Sequence, residues 1–546
     1  MPRLTIQQSF DSASRHHQAG RLAEAEQLYR LILTRQPDHV DSLHFLGVIA
    51  HQAGKSDIAL PLIRRAIDLQ PKNAQAQFNL GIILKDIGNF DEAIAAYRQA
   101  IALKPNIPDG QSNLAAALIQ IGQLDEAIAV CRATIAADIH GGKSGDFTNL
   151  LLALYHHPAS VSAQFLHEAR RWARLQPVFS AADFSRRNRS PDRKLRIGYL
   201  SPFFVMSSEA HFIIPLLAQH DRTQFEIFCY SRNNRPDELS SRARSHCDRW
   251  VDISKFAARE SVELIRGDEI DILVNISKPA DECLEILASR VAPVQVNWLT
   301  FGPFTTGLET MDYRISDPFI DPVGIDGDAY SEKTLRLPET AWCYDPLADP
   351  DAAESLPALG NGLVTFGSMN RFNKINASVI SAWADILRSV PNSRLRVVAV
   401  AGNARLEFLN RVDQLGVDGS RIEFIDRSSR ADYMKQYRRI DIMLDTFPYG
   451  GHSTVFDSLW MGVPVVTRAD RTCLGRATAS ALHNLNLGEQ VGQTPAEYVQ
   501  IAVKLAGDLP RLQQLHSTLR RRMEQSPLMN ASLFAGHMEA LYRRMW

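Results

Sequence analysis

The sequence predicts an α-helical solenoid followed by an α/β region built from two Rossmann-like, doubly wound domains. Two observations predict this order. Glycine, alanine and proline recur every 34 residues through the first part of the chain, and beyond residue 193 short apolar runs alternate with helical segments. A fixed period of this length indicates stacked repeats. The alternation is typical of parallel sheets covered by helices.

Three residue types share the 34-residue period. The repeated positions are Gly20, Gly54, Gly88 and Gly122, then Ala25, Ala59, Ala93 and Ala127, and finally Pro37, Pro71 and Pro105. This is the period of tetratricopeptide repeats, in which each unit is a pair of helices. We therefore assign residues 1–140 to a tetratricopeptide solenoid. The concave groove of such a solenoid usually holds a peptide or a protein partner.

Asn79 and Asn113 occupy equivalent places in the first helices of consecutive repeats. Their amides have two interpretations: they grip a peptide backbone in the groove, or they belong to a solvated helix face. The segment 42–46 has no asparagine at the matching place, so any ladder of amides is short.

The rest of the chain divides into a connector and two halves. A helical stretch from Phe147 to Gln176 leads to a polar segment, so residues 141–192 are assigned to a helical connector. Two sets of apolar runs then predict an N-terminal half at 193–350 and a C-terminal half at 351–546. The predicted strands are 195–200, 225–230, 270–276 and 294–301, then 363–368, 395–400, 422–425, 440–444 and 463–467. Ligands bind at the carboxyl ends of such strands, so the cleft between the halves is the expected site.

The run 449–454 carries the clearest chemical signal. It turns through Gly450 and Gly451 from the apolar segment 441–447 into a helical stretch that ends near Met461. A helix that begins in this way presents free N–H groups and a positive dipole end to an anion. The spacing is neither a Walker loop nor a dinucleotide fingerprint, so the prediction depends on the neighbouring residues.

Three further side chains lie near predicted strand ends. Lys374 would place an ammonium on a phosphate, Asp457 would accept a hydrogen bond from a ribose, and Arg476 would add a cation from a third loop. The ordinary alternatives are a solvated lysine, a surface carboxylate and, for Ser453, a plain helix N-cap. Together these residues predict a nucleotide-sugar diphosphate site, because a transferase must neutralise the charge on the departing diphosphate.

Composition excludes several other classes of protein. The 546 residues carry a net charge of -1, which predicts no attraction to nucleic acid or to an anionic membrane. The six cysteines show no C-x-x-C spacing, which argues against a zinc site or a disulfide framework. The N-terminus does not resemble a signal peptide, and no apolar segment is long enough to span a bilayer. The sequence therefore predicts a cytoplasmic protein.

Several segments of the α/β region are distinctive. They are 195–201 (LRIGYLS), 225–230 (FEIFCY), 290–298 (RVAPVQVNW), 330–333 (YSEK) and 542–546 (YRRMW). Together they resemble the tetratricopeptide-fused protein O-glycosyltransferases, namely the O-GlcNAc transferase family with its SPINDLY-type O-fucosyltransferase branch. Residues 445–450 (DTFPYG) and 316–318 match the SPINDLY branch at least as well, which leaves the donor sugar open.

The resemblance implies a two-domain GT-B fold that binds its donor in the C-terminal half. No metal is expected, because Lys374 and the helix start would neutralise the phosphate charge. It implies that Lys374 contacts the donor diphosphate and that Asp457 binds the ribose. His452, Ser453 and Thr454 are the implied phosphate ligands. The remaining candidate donor-site residues are Asn370, Arg371, Tyr433, Gly451 and Arg476. UDP-GlcNAc is the favoured donor, and because it is a substrate no cofactor is expected.

The sequence departs from the family pattern on the acceptor and sugar side of the expected cleft. Ser207 stands where the family has a histidine near the reacting centre, so we assign no general base. His211 is the remaining candidate catalytic histidine, with a structural role as its alternative. Arg371 replaces a neutral amide, and Tyr433 falls where the O-GlcNAc branch stacks a base.

The loops at 277–280 and 301–305 also differ from the family, whereas the phosphate residues are kept. We therefore expect an altered choice of sugar or acceptor rather than loss of diphosphate binding. Lys278 and Arg371 add cations that would suit an acidic sugar, as in bacterial relatives proposed to modify flagellins.

The predicted function is inverting transfer of a sugar, GlcNAc being favoured, to Ser or Thr hydroxyls of a protein recruited by the solenoid. Lys374 and the helix at Ser453 would stabilise the departing phosphate. Three alternatives stay open. The chain is an O-fucosyltransferase, a flagellin-type enzyme that uses another nucleotide sugar, or a catalytically silent tetratricopeptide scaffold, which the missing histidine favours.

Overall fold

The computed structural model describes residues 5–137, 144–179, 183–185, 187–299, 305–325, 329–347, 356–426 and 428–546. These residues form two compact units. One contains the helical repeats together with residues 400–406, and the other contains the rest of the chain. The predicted boundaries near 140 and 350 lie outside the described residues, as do residues 301–304 of one divergent loop.

The first unit consists of helical hairpins, as the 34-residue period predicts. The four repeated glycines follow the first helix of each hairpin with φ between 73° and 85°, which glycine adopts without strain. The four repeated alanines are fully buried. The helices are α1 (Ile6–Gln18), α2 (Leu22–Arg35), α3 (Val40–Gln52), α4 (Ser56–Leu69), α5 (Ala74–Asp86), α6 (Phe90–Leu103), α7 (Gly110–Gln120) and α8 (Leu124–Ala136).

The two repeated asparagines contact the preceding repeat. Asn79 Nδ2 lies 2.7 Å from His44 Nε2, and Asn113 Oδ1 accepts a hydrogen bond of 2.9 Å from Lys85. Both side chains stay partly exposed. They therefore link neighbouring repeats, and the prediction that they hold a peptide backbone stays a prediction.

The connector consists of two helices, α9 (Ser144–His156) and α10 (Ser162–Ala173), rather than one continuous helix. Pro158 lies between them, and proline cannot continue a helix because it lacks the N–H donor. The rings of Tyr155 and Phe165 stack with centroids 4.2 Å apart, which fixes the hairpin.

Two parallel sheets come next within the described residues. Their strands are β1 (Leu195–Ser201), β2 (Phe225–Ser231), β3 (Arg249–Asp252), β4 (Ile272–Asn275), β5 (Val294–Asn297), β6 (Tyr313–Ser316), β7 (Lys333–Arg336), β8 (Val364–Ser368), β9 (Ser393–Val398), β10 (Ile422–Ile425), β11 (Ile442–Leu444), β12 (Val465–Arg468) and β13 (Val491–Gly492). The strand orders in the two sheets are β3-β2-β1-β4-β5-β6-β7 and β10-β9-β8-β11-β12-β13. The two predicted doubly wound domains are confirmed. The sequence did not predict β3, β6, β7 and β13, which are short and partly polar.

Helices cover both sheets. They are α11 (Ala210–Gln219), α12 (Glu238–Ser245), α13 (Ala258–Gly267), α14 (Glu282–Ala288), α15 (Pro357–Asn361), α16 (Ala377–Ser389), α17 (Asn403–Gln414), α18 (Arg430–Tyr437), α19 (Ser453–Trp460), α20 (Cys473–Asn484), α21 (Pro495–Ala506), α22 (Leu509–Glu524) and α23 (Ala531–Met545). The last helix packs on the N-terminal half, since the hydroxyls of Tyr542 and Tyr199 are 2.8 Å apart. The second sheet reverses its strand order between β8 and β11, where such folds bind ligands.

Candidate donor site

A buried carboxylate organises the loop after β11. Asp445 Oδ1 accepts hydrogen bonds from the backbone N–H of Gly451 at 2.6 Å and from Asn370 Nδ2 at 3.0 Å. Its Oδ2 accepts from the hydroxyls of Thr467 at 2.8 Å and Thr478 at 2.6 Å. A fully buried carboxylate is stable only with such donors. Asp445 is a site-building residue that the sequence analysis missed.

Glycine is required in this loop because neighbouring atoms lie too close to its backbone to admit a Cβ. A Cβ on Gly451 would lie 2.6 Å from Thr454 Oγ1 and 2.7 Å from Val455 Cγ2. Thr454 in turn donates a hydrogen bond of 2.9 Å to Asn370 Oδ1. The loop, the end of β8 and the start of α19 are therefore packed as one structure.

Helix α19 begins at Ser453, as predicted. Its N-cap residue is His452, which makes no side-chain cap hydrogen bond, so the first N–H groups of the helix have no such partner. The alternative that Ser453 is a plain N-cap is therefore wrong. The start of α19 is the kind of helix terminus that binds anions.

Lys374 lies beside this helix start. Its ammonium donates a hydrogen bond of 2.6 Å to the carbonyl oxygen of Gly450 and sits 3.8 Å from the centroid of the Tyr449 ring. The side chain is only partly exposed, so the solvated-lysine alternative does not hold. Burial lowers the pKa of Lys374 to about 7, and Arg371 acts in the same direction while Asp445 opposes it. A bound anion would favour the charged form.

His452 is not suited to a charged contact with phosphate. Its ring stacks on Phe212 with centroids 4.3 Å apart and meets Trp342 edge-on at 4.5 Å, both in the N-terminal half. Burial lowers the pKa of His452 to about 3. The imidazole is thus neutral near pH 7, so any contact with phosphate at this residue would come from neutral groups.

Asp457 is a buried residue, so the surface-carboxylate alternative is wrong. Its oxygens accept hydrogen bonds of 2.6 and 2.5 Å from Arg430 and one of 2.6 Å from the hydroxyl of Tyr344. The carboxylate is fully engaged. A ribose hydroxyl would share or displace one of these donors, and that role stays a prediction.

Arg476 lies in helix α20 and not in a loop, which corrects the sequence interpretation. Its guanidinium donates to the carbonyl oxygen of Ile320 at 2.5 Å and to those of Asp470 and Arg471. The bond to Ile320 ties α20 to the N-terminal half, and the other two hold the loop that precedes α20. The predicted contact between Arg476 and a phosphate stays a prediction.

The remaining donor-site candidates are Asn370 and Arg371 on the loop after β8, Gly451 on the loop after β11, and Tyr433 in helix α18. Arg371 is exposed beside Lys374. The hydroxyl of Tyr433 is 3.0 Å from that of Tyr437 and donates a weak bond of 3.3 Å to the carbonyl oxygen of Met369. The Tyr433 ring stays partly exposed, as stacking of a base would require.

The two residues at the expected histidine positions have structural contacts. His211 Nδ1 is 2.7 Å from the carbonyl oxygen of Asp345, and the His211 ring stacks on Tyr344 with centroids 5.5 Å apart. Burial lowers the pKa of His211. Ser207 accepts a hydrogen bond of 3.2 Å from the N–H of Ala210 at the start of α11. Neither contact assigns a general base.

The connector also reaches this site. The ring of His156, at the end of α9, lies 4.8 Å from the ring of Tyr449. His156 is buried and its Nδ1 is 2.6 Å from the carbonyl oxygen of Leu152. Sequence patterns carried no signal for this contact, because the two residues are almost 300 positions apart.

Metal clusters and membrane spans are both absent from the described residues. No group of three or more His, Cys, Asp or Glu side chains among them is arranged to hold a metal ion. No helix in this part of the chain is both long enough and apolar enough to cross a membrane.

Comparison with known proteins identifies the family. The model of glycosyl transferase family 41 matches residues 174–347 and 353–538, and a tetratricopeptide-repeat model matches 46–85 and 78–141. The chain therefore belongs to glycosyl transferase family 41. The predicted family and the order of a repeat solenoid before two parallel α/β domains are confirmed.

Named relatives and a solved structure agree with this. The chain is 37% identical over 411 residues to a probable UDP-N-acetylglucosamine–peptide N-acetylglucosaminyltransferase SPINDLY of Arabidopsis thaliana, covering 73% of this chain and 44% of the relative. It is 37% identical to the tomato (Solanum lycopersicum) protein of the same name, covering 69% of this chain and 41% of that protein. An O-GlcNAc transferase mutant from Thermobaculum terrenum has a TM-score of 0.82 at 32% identity, covering 93% of this chain and 97% of that structure. The chain thus spans less than half the length of these two plant relatives.

Proposed function

We propose that this chain is an inverting protein O-glycosyltransferase that moves a sugar from a nucleotide-diphosphate donor to Ser or Thr hydroxyls. One observation carries the proposal. The Lys374 ammonium is held 2.6 Å from the Gly450 carbonyl oxygen, close to the start of α19. The lysine charge and the helix dipole would therefore both favour an anion bound at this place. A diphosphate bound there would accept hydrogen bonds from both.

The chemistry results from this arrangement. An acceptor hydroxyl attacks the anomeric carbon, the bond from that carbon to the diphosphate oxygen breaks, and the electron pair leaves with the diphosphate. Lys374 and the N–H groups at Ser453 would stabilise the negative charge on the leaving group. Attack in line with the leaving group inverts the anomeric centre.

UDP-GlcNAc is the favoured donor, supported by the names of the relatives. We propose that it binds as a substrate and that neither a cofactor nor a metal takes part. Fucose or another nucleotide sugar is the alternative. We propose that the repeat groove recruits the protein acceptor. We also propose a cytoplasmic location, supported by the six cysteines, none of which forms a disulfide in the described part of the chain, since reduced thiols are typical of that compartment.

A second candidate is a catalytically silent binding scaffold. Two observations favour it: Ser207 replaces a histidine and holds the start of a helix, and both oxygens of Asp457 are engaged by Arg430. Such a scaffold would bind nucleotide without transferring sugar.

Intact-mass measurement tests the proposal. Candidate acceptor proteins are incubated with the chain and a panel of nucleotide sugars, and a mass gain of one sugar residue is expected. Lys374→Met should abolish the gain, whereas Lys435→Met, which removes an exposed lysine paired with Asp432, should leave it unchanged. UDP binding without any mass gain across the panel would favour the scaffold.

A further inference from the structure

We infer that a groove beside the donor site binds a segment of the acceptor protein in which an acidic residue is flanked by apolar residues. The inference rests on the proposed function and names the chemical class of its acceptor. The groove consists of two open cavities on either side of residues 468–471, with volumes of about 870 Å³ and 540 Å³. Arg468, Asp470 and Arg471 line both cavities, so the two meet at this segment.

The groove borders the loop after β11. Pro448 lines the smaller cavity and directly precedes Tyr449, whose ring lies 3.8 Å from the Lys374 ammonium. The carbonyl oxygen of Pro448 lies 2.6 Å from the place that a Cβ on Gly475 would occupy, so the start of α20 packs directly against this loop. A polypeptide in the groove would therefore lie next to the candidate donor site.

The centre of the groove carries one arginine whose charge is not used within the chain. Arg468 pairs with Asp470, and Asp470 Oδ1 also accepts a hydrogen bond of 2.7 Å from the backbone N–H of Arg471. The Asp470 charge is thus compensated. The exposed guanidinium of Arg471 has no hydrogen-bond or ion-pair partner in the described part of the chain. It is therefore available to a carboxylate of the occupant.

Apolar side chains lie on both sides of Arg471. Phe319 and Ile325, on the segment after β6, line the larger cavity, and Val161 and Phe165 of the connector line the smaller one. Ile325 is 44% exposed and Val161 is 50% exposed, which leaves apolar surface for a partner. An acidic residue between two apolar residues matches this order of surfaces.

The size of the groove favours a polypeptide over a small molecule. Single small-molecule cavities span about 300–1,000 Å³, and the two joined cavities together exceed that range. An extended chain that crosses residues 468–471 would place one side chain at Arg471 and its neighbours in the two cavities.

Affinity selection from peptide libraries tests the inference. In one library Glu stands between two apolar residues at varied distance from a Ser or Thr, and in the other Gln replaces each Glu. Mass spectrometry should show that the wild-type chain retains the Glu peptides about three- to fivefold better than their Gln partners. The preference should shrink as salt is added, because Arg471 is exposed.

Arg471→Glu should reverse this preference, because like charges would then face each other. Arg521→Glu is the matched control. It changes an exposed arginine in the last turn of α22 and should keep the preference of wild type.

Val161→Asn tests the apolar side of the groove. Val161 is the N-cap residue of α10 and makes no side-chain cap hydrogen bond, whereas asparagine is a favoured N-cap. The substitution should therefore weaken retention of both libraries by about threefold without lowering the Tm.

Two donor measurements separate this inference from the proposed function. UDP affinity, and UDP release from UDP-GlcNAc without an acceptor, should be the same in Arg471→Glu as in wild type. Transfer to a selected Glu peptide should show a raised KM in this variant, with kcat within about threefold of wild type.

Equal retention of Glu and Gln peptides by wild type, or an unchanged preference in Arg471→Glu, would overturn the inference while the proposed function stands. A change from dimer to monomer in Arg471→Glu with no effect on peptides would also overturn it, since the groove would then join two copies of the chain. If no peptide gains the mass of a sugar from UDP-GlcNAc, GDP-fucose or the rest of the donor panel, the proposed function fails and the inference fails with it.

Discussion

Arg430 holds Asp457 through both carboxylate oxygens, at 2.6 and 2.5 Å, and Tyr344 adds a hydrogen bond of 2.6 Å to the same carboxylate. Tyr344 belongs to the N-terminal half. Arg430 begins helix α18 and Asp457 lies in helix α19, and both helices belong to the C-terminal half. The carboxylate therefore joins the two halves of the α/β region beside the candidate donor site.

Asp457→Asn should destabilise the protein by about 3–5 kcal/mol, because it leaves the Arg430 charge without its partner in a largely buried setting. Urea denaturation measures the change. The matched control is Asp432→Asn, which breaks the exposed Lys435–Asp432 pair and should cost about 0–1 kcal/mol. Equal effects of the two substitutions would contradict the structural role of Asp457.

UDP affinity should depend on pH through Lys374. Its pKa of about 7 means that, without a bound ligand, the Lys374 side chain is mostly charged below pH 7 and loses its proton as the pH rises through that value. A diphosphate requires the charged form, so affinity should fall between pH 7 and pH 9. Calorimetry should show this fall in wild type. Lys374→Arg stays charged throughout, and a pH dependence as steep as that of wild type in this variant would count against the assignment.

Gly451→Ala should weaken UDP binding at least tenfold and destabilise the loop, because the new Cβ would lie 2.6 Å from Thr454 Oγ1 and 3.0 Å from Asn370 Oδ1. Gly536→Ala is the control, since its Cβ would meet no atom within 4 Å in a helix. That change should stabilise the protein by about 0.5–1 kcal/mol. Calorimetry with UDP and thermal unfolding separate the two effects.

Local periodicity and strand ends made part of the site predictable from the sequence. The glycine loop and Lys374 both come after apolar strands, β11 and β8, which are neighbours in the sheet, so their proximity was predictable. Pairings such as Arg430 with Asp457 were not, because no local pattern states which buried charges meet. The prediction that Arg476 lies in a loop was wrong, because Thr472 and Gly475 stand just before it and such residues are as common in loops as at the start of a helix.

Asp445 shows a signal that could have been used. An aspartate at the end of an apolar strand and directly before a glycine turn has few ways to be satisfied except by loop N–H groups. The packing of α23 against the first sheet had no such signal, because the contacting residues Tyr542 and Tyr199 are 343 positions apart in the sequence.

Asp445→Ala should therefore remove donor binding through the loop rather than through ligand contact. It leaves the Gly451 N–H and the Asn370 amide without their acceptor, at about 1–3 kcal/mol for each buried group. Thr467→Val removes a single hydroxyl from the same carboxylate and should cost about 1 kcal/mol.

Ligand-induced stabilisation measures the consequence. A ligand at 100 times its Kd stabilises the folded chain by about 2.7 kcal/mol, so UDP should raise the Tm of wild type and of Thr467→Val. The same UDP concentration should leave the Tm of Asp445→Ala unchanged, because the Gly450 carbonyl and the α19 N–H groups no longer hold their positions around Lys374. An equal rise in all three proteins would show that the diphosphate binds elsewhere.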